Sequence, residues 1–345
     1  MVNKLRFIDL FAGIGGFRIA LERHGAECVF SSEWDKHAQK TYNENFGEIP
    51  EGDITKISEK DIPEHDVLCG GFPCQAFSIS GKQRGFNDTR GTLFFDIVRI
   101  ARHHKPKVLF LENVKNLTKH YHGNTLKIIL RTLEEIGYDA YYKVLVASHY
   151  GVPQARERIY IIGFRKDLGI NDFKFPNPSC KNIYVKDILE KDRDMSEYVI
   201  HRKDVKFWNR DETPVLKPIQ IGQINKGGQG ERIYSINGHA ITLSAYGGGV
   251  AGKTGAYLVD GRIRRLSPRE CARAQGFPEW FKISAPKLEA YKQFGNSVSV
   301  PVIDAIFNQI ANTTRLEKSK EPVKISANNF ERRYDYAVQT KLINA

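Results

Sequence analysis

The first 165 residues alternate between short apolar runs and longer stretches with helical spacing. Leu5–Phe11 is nearly continuous apolar chain, as in a strand buried on both faces. A glycine turn follows, then a helix-like pattern over Phe17–Arg23. The alternation repeats: strand Glu27–Ser31 and helix Asp35–Asn45; strand Val67–Cys69 and helix Thr92–His103; strand Val108–Leu111 and helix Asn124–Ile136, stopped by Gly137. Tyr141–Ala147 and Arg158–Phe164 are rich in β-branched and aromatic residues and predict two more strands. Repeated β-α-β alternation predicts an α/β fold with a doubly wound, mostly parallel sheet. Such sheets bind ligands outside the carboxyl ends of their strands.

The pattern breaks at Pro176–Pro178. From Cys180 to about Ser284 short strand signals, glycine clusters and charges predict a smaller, loop-rich β domain. Helical spacing returns at Pro268–Ala274, Pro286–Gln293 and Pro301–Asn312, the last expected to rejoin the first domain. The expected organisation is a catalytic and cofactor domain over 1–185, a recognition domain over 186–290, a return segment over 291–316 and a tail over 317–345. No apolar stretch reaches the ~18–20 residues that span a bilayer, so no membrane association is expected. The N-terminal run contains Asp9 and lacks a small-residue cleavage site, and is read as the first strand, not a signal peptide.

Charge sharpens this picture. The chain carries 52 Lys and Arg against 40 Asp and Glu, a net +12. That suits a polyanionic partner, or equally a solvated lysine-rich surface. Residues 221–275 hold eight basic and three acidic side chains among many glycines, which favours a polyanion there. The five cysteines (Cys28, Cys69, Cys74, Cys180, Cys271) form no C-x-x-C pair and lie at no zinc spacing, so a reducing, cytoplasmic setting and no metal are expected.

The candidate chemistry clusters at predicted strand ends. In "FIDLFAGIGGFR" a strand enters a turn at Gly13, Gly15 and Gly16. Arg18 stands where a dinucleotide fingerprint wants glycine, so no pyrophosphate cradle is implied. Glu33, 20 residues beyond Gly13, can hold ribose hydroxyls. Trp34 offers an aromatic face, and Asp53, after another strand-like stretch, can accept from an exocyclic amine. Together these suggest an adenosyl cofactor without phosphates. In "GGFPCQAFSISG" Cys74 follows a strand and is braced by Pro73. Gln75, Ser78 and Ser80 are wrong for a core, so Cys74 reads as a nucleophile, whereas Cys69 fits core filler. Glu112 ends the apolar strand of "VLFLENV", as a crevice acid or a surface acid after the strand. A thiolate and an acid in one crevice suit conjugate addition to a heterocycle. In "QARERIYIIG" strand alternation puts Arg156, Arg158 and Tyr160 on one face, where Arg158 could pair with Glu112 or approach a substrate oxygen or phosphate; a solvated edge strand is the plainer reading. Asn296, in "YKQFGNSVSVPV", is expected before a helix, where it could close a cofactor pocket.

In order and content, FAGIGG, GGFPCQAFS, ENV, QARERIY, RECARAQGFP and QFGNSV resemble the motifs of the cytosine-C5 DNA methyltransferases over about residues 4–312. The resemblance implies a Rossmann-like S-adenosylmethionine-dependent methyltransferase sheet, a smaller target-recognition domain and a DNA cleft between them. It implies S-adenosylmethionine as cofactor, leaving as S-adenosylhomocysteine, held by Phe11, Gly13, Ile14, Gly16, Glu33, Trp34, Asp53, Ile54, Gly71, Pro73, Leu93, Asn296, Ser297 and Val298. Cys74 would be the nucleophile, Glu112 would bond the flipped cytosine's ring nitrogen and amine, and Arg158 its carbonyl oxygen, with Arg156 nearby. Ser80 and Gln229 would fill the gap left by the base, Arg232 and Tyr246 would contact bases, and Thr242 would hold a phosphate. The variable stretch "NKGGQGERIYS" with "AITLSAYGGG" implies a target like GCGC with the first cytosine modified, as a monomer in a bacterial or phage-type, nucleoid-associated restriction-modification system. A partner endonuclease would share the site without needing to bind. The same fold also serves tRNA cytosines, and a silent DNA-binding protein could retain it. A redox enzyme is disfavoured by the glycine spacing.

Overall fold

The computed structural model describes residues 4–72, 93–179, 181–191, 193–209 and 211–314. Pro73, Cys74 and Ser80, and the tail expected over 317–345, lie outside these residues. Six strands form the main sheet: β1 (Arg6–Leu10), β2 (Glu27–Ser32), β3 (Val67–Gly71), β4 (Val108–Val114), β5 (Tyr138–Val146) and β6 (Glu157–Arg165), in the spatial order β2-β1-β3-β4-β6-β5. The first four are parallel. β1 has β2 on one side and β3 on the other, so the chain reverses its winding there. That reversal opens a crevice beyond the carboxyl ends of β1 and β3.

The expectation of a mostly parallel sheet needs one amendment. β6 runs antiparallel to both β4 and β5. Only residues 147–156 connect β5 to β6, about the minimum for a parallel crossover, and they carry no α-helix. Strand composition reveals neither direction, so this feature follows from connection length rather than from periodicity.

Alternation along β1 sends Phe7 to one face and Ile8 and Leu10 to the other. On the first face pack α1 (Gly16–Glu22) and α7 (Val300–Thr314), through Phe17, Ile19, Ile303, Ile306 and Ile310. On the second pack α3 (Leu93–His104) and α4 (Asn124–Glu135), through Phe94, Ile97, Leu126 and Ile129. Each such fully buried side chain contributes ~1.5–3 kcal/mol, so the three layers hold the crevice on a rigid base. α2 (Lys36–Phe46), which adds Ala38 and Phe46 to the first-face core, starts at Asp35, whose carboxylate accepts from the backbone N–H groups of His37 and Ala38.

A second sheet, in the order β11-β10-β9-β8-β7, comprises β7 (Val205–Phe207), β8 (Gln220–Ile224), β9 (Arg232–Ser235), β10 (Ala256–Val259) and β11 (Arg262–Arg264). Its central strands are largely buried on both faces, while the edge strand β7 exposes Lys206 and Phe207. Ile233 and Ala256 join a small core of isoleucines, while their neighbours Tyr234 and Tyr257 join the main core. α5 (Pro268–Ala274) and α6 (Lys287–Asn296) return the chain to α7. α6 passes through position 290 without a break, because Ala290, Tyr291 and Phe294 are one buried helical stripe. The boundary expected at 290 therefore does not fall between elements. Among the described residues no helix is long and apolar enough to cross a membrane.

Candidate functional site

The turn after β1 sets one bank of the crevice. Phe11 and Gly13 both adopt positive φ, 56° and 55°. A methyl at Gly13 would meet nothing within 4 Å, so this turn faces open space. Gly15, also at positive φ (83°), and Gly16 serve packing as well. A side chain at Gly15 would collide with the Phe46 ring, and one at Gly16 would lie 2.6 Å from Val298 Cγ2 and 3.1 Å from Ser297 Oγ. Glu33 is buried beside the turn. Its Oε2 accepts from Gly13 N–H and its Oε1 from Asp35 N–H, both at 2.8 Å. Burial raises its pKa, and those two backbone donors oppose the rise. Trp34, next along, is 78% exposed, leaving its indole face free for a flat ligand.

Arg18 is not offered to the crevice. Its guanidinium donates to Glu22 at 2.7 Å, to the Tyr42 hydroxyl at 3.1 Å and to Glu48, tying α1 to α2. Asp53 follows a single bridge between Ser32 and Glu51 rather than the expected strand, and its carboxylate caps a 3₁₀ turn through Thr55 N–H. That bridge carries the chain past Glu33, whose N–H donates to the Glu51 carbonyl. Phe11 and Leu93 pack on the cluster that contains Ile54 and Phe72. Asn296 is exposed and ends α6 rather than preceding a helix start directly. Ser297 and Val298 behind it are buried, Val298 beside Gly16 as described.

The second bank is the carboxyl end of β4. Glu112 is buried, and Arg158 Nε lies 3.1 Å from its carboxylate. The antiparallel register puts Glu112 opposite Tyr160 and Val114 opposite Arg158. Burial raises the Glu112 pKa, with Arg158 and Arg156 pulling the other way. A methyl at Gly71 would lie 3.5 Å from Glu112 Oε2 and 3.9 Å from Val298 Cγ1, so this bare α-carbon joins the acid to the bank around Gly16 and Val298. Asn113 donates to the Phe72 carbonyl at 3.0 Å and fixes the chain just before Pro73. The sequence places Asn113 beside Glu112 at the strand end without indicating this bond.

Arg156, expected among the catalytic residues, is turned elsewhere. Its Nη atoms donate to the carbonyls of Leu243 (3.4 Å), Gly295 (3.2 Å) and Ser297 (2.6 Å). With those donors committed, it supports the crevice instead of reaching into it. Burial lowers its pKa to about 9.

The loops expected to contact DNA are built by interlocked glycines. Side chains at Gly230, Gly247 or Gly252 would collide with the backbone of the facing loop: Gly230 with Gly248, and Gly247 and Gly252 across the 247–252 turn. This brings the loop of exposed Gln229 and Arg232 against the loop of Tyr246, which is 79% exposed. Thr242 Oγ1 donates to the Ala155 carbonyl at 2.8 Å, anchoring that segment to the start of β6. Among the described residues no three His, Cys, Asp or Glu side chains converge as a metal-ion site.

A family described as C-5 cytosine-specific DNA methylase matches residues 5–312. The chain is 58% identical to the type II methyltransferase M.HhaI of Haemophilus parahaemolyticus, covering 90% of this chain and 96% of that protein. It is 48% identical to M.SsoII of Shigella sonnei (90% and 81%) and 47% identical to M.HpaII of Haemophilus parainfluenzae (89% and 89%). Among solved structures, S. pombe Dnmt2 methyltransferase superposes with a TM-score of 0.67 at 20% identity over 90% of this chain and 99% of that one. A putative DNA modification methyltransferase of an E. coli prophage gives 0.68 at 22% over 90% and 100%; both share the fold.

Proposed function

The chain belongs to the C-5 cytosine-specific DNA methylase family and is a DNA (cytosine-5) methyltransferase of the type II restriction-modification kind; from that premise we propose that it methylates the first cytosine of GCGC in duplex DNA, using S-adenosylmethionine. The observation that carries the mechanism is the Glu112–Arg158 pair, set one bare α-carbon from the cofactor bank at Val298.

The bank fits an adenosyl group that lacks phosphates. Glu33 can accept from ribose hydroxyls with its remaining lone pairs. Trp34 can stack on adenine, and Asp53 can take its amine. Arg18, the cation nearest the glycine turn in sequence, is spent inward. When bound there, S-adenosylmethionine supplies an electron-poor methyl group.

The target base must leave the helix, at a cost of about a few kcal/mol, to reach this crevice. Gln229 and Ser80 would fill the gap. Glu112, whose pKa burial raises against the pull of Arg158 and Arg156, donates in its protonated form to the cytosine ring nitrogen and accepts from its amine. Arg158 binds the base's carbonyl oxygen. The Cys74 thiolate adds its electron pair to carbon 6 while the Glu112 proton moves to the ring nitrogen, which makes carbon 5 electron-rich. After methylation a base removes the proton on carbon 5, those electrons expel the Cys74 sulfur as thiolate, and the ring nitrogen returns its proton to Glu112. The enzyme acts as a monomer in the cytoplasm.

Transfer of labelled methyl to a GCGC duplex, a scrambled duplex and tRNA, assayed side by side, tests this reading. Label in the GCGC duplex alone is expected, and label confined to RNA would overturn it. Cys74→Ala should abolish transfer while largely keeping DNA binding; transfer at a similar rate would remove the covalent step.

A further inference from the structure

Beneath the crevice, three buried polar side chains join two segments that serve different ligands in the function proposed above. Residues 240–246 carry Thr242 and Tyr246 on the DNA side. Residues 295–298 carry Asn296 and Val298 on the cofactor side. We propose that Arg156 is a positioning residue that couples the two, so that occupancy of one segment changes the affinity of the other for its ligand.

The arginine's bonds make the case. Arg156 is 2% exposed, and its Nη donors go to main-chain carbonyls. Leu243, which accepts at 3.4 Å, lies between Thr242 and Tyr246. Gly295, which accepts from both Nη atoms at 3.2 Å, and Ser297, which accepts at 2.6 Å, flank Asn296. A guanidinium is a rigid planar fork, so moving one carbonyl re-aims the donors left for the others. The shortest bond is to Ser297 at 2.6 Å, with Gly295 at 3.2 Å and Leu243 at 3.4 Å. Gln154 and Gln275 run beside it. Gln154 accepts from Leu243 N–H at 3.0 Å and donates to the Ala274 carbonyl at 2.9 Å. Gln275, next in sequence to Ala274, donates to the Phe294 carbonyl at 2.8 Å and the Ser297 carbonyl at 3.4 Å. The segments also touch directly, since a methyl at Gly295 would lie 2.6 Å from the Ser244 carbonyl carbon. No side chain intervenes there to absorb a shift.

The test is a binding cycle on the full chain, with S-adenosylhomocysteine and a GCGC duplex as probes and titration calorimetry as readout. The duplex should tighten S-adenosylhomocysteine binding by about 5-fold or more, and the reverse by the same factor. In Arg156→Lys, which keeps the charge but not the fork, that factor should fall below about 2-fold, with each ligand alone still binding. An unchanged factor, even with a lowered melting temperature, would overturn the proposal and leave Arg156 a structural residue. Should the variant not fold, hydrogen exchange in the unaltered protein decides. S-adenosylhomocysteine alone should slow exchange at the Leu243 and Ser244 amides, and protection confined to 295–298 and the Gly13 turn would overturn it. Binding of neither probe would instead overturn the underlying function.

Discussion

In the proposed mechanism Glu112 has to be a proton donor at a pH where a free glutamate is ionised. Burial pushes its pKa up, and the neighbouring arginines limit the rise. The sign follows directly: the active, protonated form persists above the ordinary glutamate range and is lost as pH rises through the raised value. Single-turnover methylation should therefore decline on an alkaline limb that belongs to Glu112. Glu112→Gln keeps a hydrogen-bond donor but has no proton to give. Its rate should drop by about 10²–10⁴-fold, with the alkaline limb gone and S-adenosylhomocysteine affinity retained. An alkaline limb that survives the substitution would place the titrating group elsewhere. Sequence position alone offered Glu112 as either a crevice acid or a surface acid. Its burial and its contact with Arg158 distinguish the two, and neither is visible in the string "VLFLENV".

Within the β1–α1 element three neighbouring glycines are required for three different reasons. Gly13 needs its backbone angle and opens onto the crevice. Gly15, itself at a positive φ of 83°, also makes room for Phe46, and Gly16 makes room for Val298. Gly16→Ala should destabilise the fold by ~1–3 kcal/mol through overpacking and weaken S-adenosylhomocysteine binding, because it displaces the 297–298 turn. Gly13→Ala meets no neighbour, so its cost should be limited to the ~1–2 kcal/mol of a left-handed alanine. Denaturant unfolding of the two variants with parallel calorimetry checks the contrast; equal losses of binding would sink it. The strand-helix-strand order was legible because 2- and 3.6-residue periods are local. The reversed direction of β6 and the separate duties of the glycines were not, because they depend on partners far along the chain, such as Phe46 and Val298.

For the whole molecule, net charge and the basic 221–275 stretch argue for a salt-sensitive association with DNA. Affinity should fall steeply with salt, with a log–log slope near −0.9 for each phosphate neutralised. Arg232→Ala should weaken discrimination at one guanine by ~1–3 kcal/mol, measured by competition between GCGC and single-substitution duplexes. A uniform loss across all duplexes would make Arg232 a phosphate contact instead. The order of motifs made the family legible at this scale. Composition did read residues 180–284 as a β domain. It did not reveal that the domain shares a core with the main sheet through Tyr234 and Tyr257. The glycine interlock bears on how such a protein can be retargeted. The loops of Arg232 and Tyr246 meet backbone to backbone where Gly230 faces the Gly248 carbonyl, with no room for a methyl at Gly230. Side chains on the rims can be exchanged one at a time, but the path of either loop cannot change without its counterpart. A new specificity that needs a different loop shape would thus have to be acquired as a matched pair, by recombination of residues 226–253 as one cassette rather than by stepwise substitution.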